Sequence, residues 1–140
     1  MNMKRIIEVE WKHLDLKGET CDRCFSTGET LKQQIAQLNH QLNDFNIELL
    51  FKETKLDENE VVHSNEVYID HKAIESIINL EVRDNYCASC SDLTKKLTYC
   101  RSIVFESKSY DEIPASALRK AILLQCGLNP QMSLLNSIYR

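Results

Sequence analysis

Leu31, Ile35, Leu38, Leu42 and Phe45 step along the chain by 4, 3, 4 and 3 residues, with Lys32, Gln33, Gln37 and Asn39 between them. That spacing places five apolar side chains on one stripe of an α-helix and turns the polar ones to water. Two heptads are too few to argue a coiled coil, so the surface expected to cover the stripe is a sheet of the same chain. Just ahead, Ser26-Thr27-Gly28-Glu29 has the form of a capping box, in which serine and glutamate satisfy each other's orphan backbone N–H groups. The helix is therefore expected to start at Ser26.

Strand-like runs flank this helix. From Lys4 to Leu14, Ile6, Ile7, Val9 and Trp11 are interleaved with Glu8, Glu10 and Lys12. After a turn at Asn43-Asp44, Ile47, Leu49 and Phe51 alternate with Glu48, Leu50 and Lys52. Strand, helix, strand with a crossover of this length suits a parallel pair.

Asp57 to Glu60 reads as a loop or single turn, and Glu66 to Asp70 as a third strand that turns at His71-Lys72. The run from Ala73 to Ile78 fits a fourth strand or a short helix. Ser102 to Phe105 and Ser109 to Ile113 suit a hairpin across Glu106-Ser107-Lys108. Pro114 then opens a helix through Leu118, Ile122 and Cys126 that Gly127 ends. The tail from Asn129 to Arg140 has Met132, Leu135 and Ile138 for one more turn.

Between the first strand and the helix lies Thr20-Cys21-Asp22-Arg23-Cys24, and Cys87 and Cys90 repeat the same spacing. Random placement of six cysteines gives roughly a quarter of one such pair, and this chain has two. A CxxC that follows a strand and precedes a helix is the pattern of a thioredoxin-like redox site. There Cys21, near the positive end of the helix dipole, would attack a disulfide, and Cys24 would resolve the mixed disulfide. Arg23 favours a thiolate at this position and Asp22 opposes it.

Cys100 joins Cys87 and Cys90 as three thiols at local spacing. Residues 79–99 show little hydrophobic periodicity, and a loop of that length needs something to order it. A disulfide is one candidate. The other is a metal, zinc or another thiophilic ion, with Cys87, Cys90 and Cys100 as ligands and His71, Cys126 or a cysteine of the first pair as the fourth. A metal site that draws in Cys21 and Cys24 is the alternative to dithiol exchange. Cys126, at four-residue steps from Leu118 and Ile122, reads as core. His13, His40, His63 and His71 share no ligand spacing, and His13 stands out only because it ends the first strand on the CxxC side. Trp11 reads as core.

With 17 basic against 21 acidic residues and no basic cluster, nucleic acid is not an expected partner. Nor is a membrane, because no uncharged apolar stretch approaches about 20 residues. The N-terminus lacks the apolar segment of a secretory signal, so a cytoplasmic protein is expected. Six cysteines in a reducing compartment then point to reactivity or metal rather than a structural disulfide framework. The partner expected is a protein or small-molecule disulfide or thiol.

Several segments together resemble a known family. Glu10-Trp11-Lys12-His13-Leu14, the run from Gly18 to Cys24, Glu53-Thr54-Lys55-Leu56, Cys100-Arg101 and Tyr110-Asp111-Glu112-Ile113-Pro114 are similar to DUF2703, an uncharacterised prokaryotic cysteine-rich family. The resemblance covers nearly the whole chain and implies a thioredoxin-like fold with no established activity. The expected fold is thus α/β, a thioredoxin-like three-layer sandwich with a mixed sheet and an inserted cysteine-bearing loop before a C-terminal hairpin and helix. It would form one domain over 1–140, with 79–100 as the insertion. Two features depart from thioredoxins: the CxxC holds no proline, and Ser64-Asn65 stands before the third strand, where that superfamily usually has a cis-proline. Since that proline is thought to keep metals off the dithiol, its absence leaves metal capture open.

Overall fold

A computed structural model describes residues 4–16, 18–20, 22–86, 91, 93–95 and 99–130, with side chains left out at 22–23, 61–62, 84–86 and 99–101. Cys21, Cys87, Cys90 and the apolar positions of the tail beyond 130 lie outside the described residues, as does the side chain of Cys100. The first sheet has the order β2-β1-β3-β4, built from β1 (Arg5–Leu14), β2 (Ile47–Leu56), β3 (Glu66–Ile69) and β4 (Lys72–Ala73). As the crossover implied, β1 and β2 are parallel, in register from Arg5 opposite Ile47 to Leu14 opposite Leu56. β3 runs antiparallel to β1, and β4 antiparallel to β3. The β3–β4 turn is two residues, Asp70 and His71, both at positive φ, the backbone a tight hairpin requires.

Helix α1 covers Asp22–Leu42, and the run from Ala73 to Ile78 resolves into β4 and a one-turn helix α2 (Ile74–Ile77). Leu31, Ile35, Leu38 and Leu42 are buried against the sheet. Phe45 is not part of that stripe. Past Leu42 the chain tightens into a 3-10 turn, Asn43–Phe45, which Asn46 closes in the left-handed conformation, and Phe45 is left 40% exposed. Asn39 does not face water either. Its side chain both accepts from and donates to the backbone of Leu49, satisfying the outer edge of β2.

α1 starts four residues earlier than the capping box indicated, so Asp22 to Cys24 lie within the helix rather than ahead of it. A capping box contributes about 1 kcal/mol, and the tertiary contacts of Thr27 and Gly28 outweigh it. Thr27 is fully buried, and a Cβ on Gly28 would come within 2.4 Å of the Trp11 indole.

The second sheet, β5 (Glu81–Tyr86), β6 (Tyr99–Phe105) and β7 (Lys108–Tyr110), is antiparallel in that order. Residues 81–86, expected as part of an inserted loop before a hairpin, form a strand. This strand of mostly polar residues is paired along its length with β6. Helix α3 (Ala115–Gln125) follows Pro114, and Gly127 ends it at a φ of 81°. Arg5 donates to the carbonyls of Gln125 and Cys126, placing a cation at the negative end of α3.

α1 and α3 lie together, joined by a hydrogen bond from Arg119 to Gln41, and the core between them and the sheet includes Ile7, Val9, Trp11, Leu118 and Ile122. On the other face Ile6 and Leu50 are about half exposed. The described residues thus form a mixed α/β fold with two sheets, and the helices α1 and α3 pack on the inner face of the first. The chain between β2 and β3 is only a six-residue 3-10 segment, Glu58–His63, too short to cover the second face. No helix among the described residues is long and apolar enough to cross a membrane.

Candidate functional site

Because α1 runs back along β1, its first turn stands over the C-terminal end of that strand. Cys24, the third residue of α1, is buried there at 1% exposure. Its Sγ lies 3.1 Å from the hydroxyl oxygen of Ser64, the second residue before β3. That oxygen also accepts the Leu14 N–H at 3.0 Å. With one lone pair taken by a backbone amide, the Ser64 hydroxyl can point its hydrogen at the cysteine sulfur. Ser64, one of the two residues standing before β3, thus faces Cys24 with its hydroxyl.

Asn65 anchors this arrangement. It adopts a φ of 67°, its N–H donates to the Lys12 carbonyl at 2.6 Å, and its Oδ1 accepts from Trp11 Nε1–H at 3.1 Å. Its Nδ2 donates to Thr27 Oγ1 at 3.1 Å, and the same hydroxyl accepts the Ile113 N–H at 3.3 Å. One buried amide therefore ties β1, α1 and the approach to α3 together beside Cys24. A fully satisfied buried network of this kind fixes geometry more than it adds net stability.

His13 completes the site. It is 2% exposed, and its ring stacks on Trp11 with centroids 3.9 Å apart and planes 13° from parallel. Nε2–H donates to Glu53 Oε2 at 2.6 Å, a charge-assisted distance. Nδ1 has two partners at 3.1 Å, the Thr20 hydroxyl and the Leu14 carbonyl. Thr20 immediately precedes Cys21. Sequence spacing marked out His13 only by its place at the end of β1, and missed Glu53, Thr20 and the Ser64 contact. Glu53 had one signal: it continues the inward-facing series Ile47, Leu49, Phe51 with a carboxylate.

The backbone of one further thiol and the positions of other histidines are described. Cys100 is in β6 opposite Asn85, and Cys87 follows Tyr86, the last paired residue of β5. Cys126 is buried at the end of α3, as its spacing indicated. Burial pushes its thiol up to about 11, with Arg5 opposing and Asp70 adding to the shift. His63 pairs with Glu66 and His71 with Glu8. Among the described residues, no three His, Cys, Asp or Glu side chains converge as a metal site.

The family described as Domain of unknown function (DUF2703) matches residues 7–122. The chain belongs to DUF2703. The match runs from β1 into α3, so it takes in Cys21, Cys24, Cys87, Cys90 and Cys100, with His13, Glu53, Ser64 and Asn65, and leaves out Cys126. An uncharacterized protein of Archaeoglobus fulgidus is 28% identical to this DUF2703 chain over 114 residues, covering 78% of the chain and 80% of the relative. No solved structure matches it.

Proposed function

We propose that this DUF2703 protein is a thioredoxin-like thiol protein in which Cys21 and Cys24 exchange between dithiol and disulfide with a protein or small-molecule partner. The observation that carries this reading is the Cys24 sulfur held 3.1 Å from Ser64 Oγ in the first turn of a 21-residue helix. Charge on that sulfur is favoured by the helix N-terminus and by the hydroxyl, the two features that make a buried cysteine a competent attacking group. A parallel β1-α1-β2 unit followed by antiparallel β3 and β4 and a closing helix fits a thioredoxin-like core. In the reaction, Cys21 attacks a disulfide sulfur and forms a mixed disulfide, and Cys24 then displaces the partner thiolate.

The test is equilibration in dithiothreitol redox buffers followed by peptide mapping. The reading expects a reversible Cys21–Cys24 disulfide, and a pair that stays reduced across the whole range overturns it.

A second reading gives Cys87, Cys90 and Cys100 a metal, zinc or another thiophilic ion. It is favoured by the β5–β6 register, which sets Cys100 opposite Asn85, two residues before Cys87. Three thiolates suit a soft cation. Metal analysis of anaerobically purified protein tests it: near-stoichiometric metal, lost in the triple serine variant, is the expected result, and no uptake on titration contradicts it.

A further inference from the structure

Helix α3 carries two stripes. Ala117, Leu118, Ala121 and Ile122 are fully buried in the core. Ser116, Arg119, Lys120, Leu123 and Leu124, spaced i, i+3, i+4, i+7 and i+8, form the adjacent stripe and line a cavity of about 500 Å³. Along that stripe, about 12 Å at the rise of an α-helix, the lining changes from a hydroxyl and two cations to two leucines. Pro130 extends the apolar part. A cavity of this size, with a largely apolar wall and a few polar groups, has the form of a small-molecule site.

The two cations lack counter-charges. Arg119 Nη2 donates to Gln41 Oε1 at 2.8 Å, a neutral acceptor on α1, and its Nε–H is buried with no hydrogen-bond partner among the described residues. Burial holds the guanidinium below its ordinary value. A buried charged donor without an acceptor is costly. Lys120 Nζ lies 5.7 Å from the centroid of the Phe105 ring, a contact that leaves its charge in place. Among the described residues that line the cavity, the carboxylate is that of Glu106, exposed in the β6–β7 turn and paired with neither cation. Two cations thus stand against one carboxylate.

We propose that this cavity binds an apolar monocarboxylate, with the carboxylate on Arg119 and Lys120 and the apolar body along Leu123, Leu124 and Pro130. A carboxylate gives the guanidinium a charged acceptor and matches its planar fork. A single negative charge balances the excess of two cations over one carboxylate, whereas a dianion would be repelled by Glu106. An uncharged apolar molecule would bury the guanidinium further and leave it unpaired, and a cationic one would add to the positive charge. Gln41 and Cys24 stand near opposite ends of α1, about 25 Å apart along the helix. The cavity is therefore distinct from the cysteine site, and the proposal does not depend on the dithiol reading.

Octanoate is the probe, with octanol and octylamine as controls of the same chain length, and carbon-13 spectra of the leucine methyls in the full chain are the readout. Octanoate is expected to shift the Leu123 and Leu124 methyls saturably, octanol to bind at least about 10-fold more weakly, and octylamine to leave both unmoved. Arg119→Gln is expected to weaken octanoate by about 10-fold. Leu124→Asp, at a partly exposed position, should weaken it by a similar factor, because it removes apolar wall and adds a like charge. Glu106→Gln should tighten binding by about twofold. Octanoate that shifts neither leucine, that binds no tighter than octanol, or that keeps its affinity in a folded Arg119→Gln overturns the proposal, as does weaker binding in Glu106→Gln. Should Arg119→Gln fail to fold by circular dichroism, having lost its bond to Gln41, an unchanged affinity in Leu124→Asp overturns it instead. Nuclear Overhauser contacts from the Leu124 methyls to residues 131–140 in the octanoate-free protein would assign the cavity to the chain's own tail, and would overturn it too.

Discussion

Cys24 and Cys126 are both almost fully buried, and each sits at the end of a helix, but at opposite ends and among different neighbours. Cys24 lies in the first turn of α1, facing the hydroxyl of Ser64. Cys126 lies at the carbonyl end of α3, among Leu118, Ile122 and Leu123 in the core, and burial pushes its thiol up to about 11. Burial alone thus makes a cysteine inert. On the proposed reading, a helix N-terminus and a hydroxyl are what set Cys24 apart from Cys126. The same residue type at 1% and 5% exposure thus has two settings, to which the proposed function gives two roles.

The sharpest way to break this contrast is to exchange each thiol for a hydroxyl. Cys24→Ser is expected to abolish the Cys21–Cys24 disulfide. Cys126→Ser should leave it intact, as checked by peptide mapping after oxidation. Loss of exchange in Cys126→Ser would mean that the two thiols are not separate in function.

Gly28→Ala is the next largest effect expected. The new methyl would meet the Trp11 ring at 2.4 Å, and overpacking of this kind costs about 3 kcal/mol. Chemical denaturation measures that loss, and dithiol exchange should slow because the first turn of α1 is displaced from Ser64.

Alkaline pH probes the Cys126 side. The thiol's ordinary value is 9.0, and in the fold it is raised to about 11, so the folded state binds this proton more tightly than the unfolded chain. The associated stability is fully present below pH 9 and is lost as pH climbs through 11. The loss should amount to about 2 kcal/mol, and Cys126→Ala should remove it. Denaturation midpoints at pH 8 and pH 11 for both proteins test the sign.

Ser64→Ala carries the smallest stability cost. It leaves the Leu14 N–H without its acceptor, worth about 1 kcal/mol, and takes the hydrogen-bond donor from Cys24. Stability should fall modestly, while Cys126 keeps its resistance to alkylation.

Periodicity made the framework legible: the alternation in β1 and β2, the stripe Leu31 to Leu42, the third strand and α3 all follow from side-chain spacing. Misreadings came where a local signal met a distant partner. Ser26 looked like a cap because nothing in the sequence shows that Thr27 will be bonded by Asn65, or that Gly28 will receive the Trp11 ring. β5 was hidden because Glu81, Arg83 and Asp84 carry no apolar pattern, and its order comes from β6.

The site divided in the same way. Cys24 could be placed from spacing and His13 from its position at a strand end. Ser64 and Glu53 come from segments about 40 residues away in sequence, and only the register of β1 against β2 and β3 brings them in.

Differential isotope labelling of the cysteines, carried out on protein equilibrated under reducing and then oxidising conditions and unfolded before the second label, compares Cys24 and Cys126 in one experiment. The account predicts that Cys24 switches reversibly between labelled thiol and protected disulfide together with Cys21, while Cys126 is a thiol throughout. A Cys24 that stays a thiol under oxidising conditions, or that switches no more than Cys126 does, would contradict it.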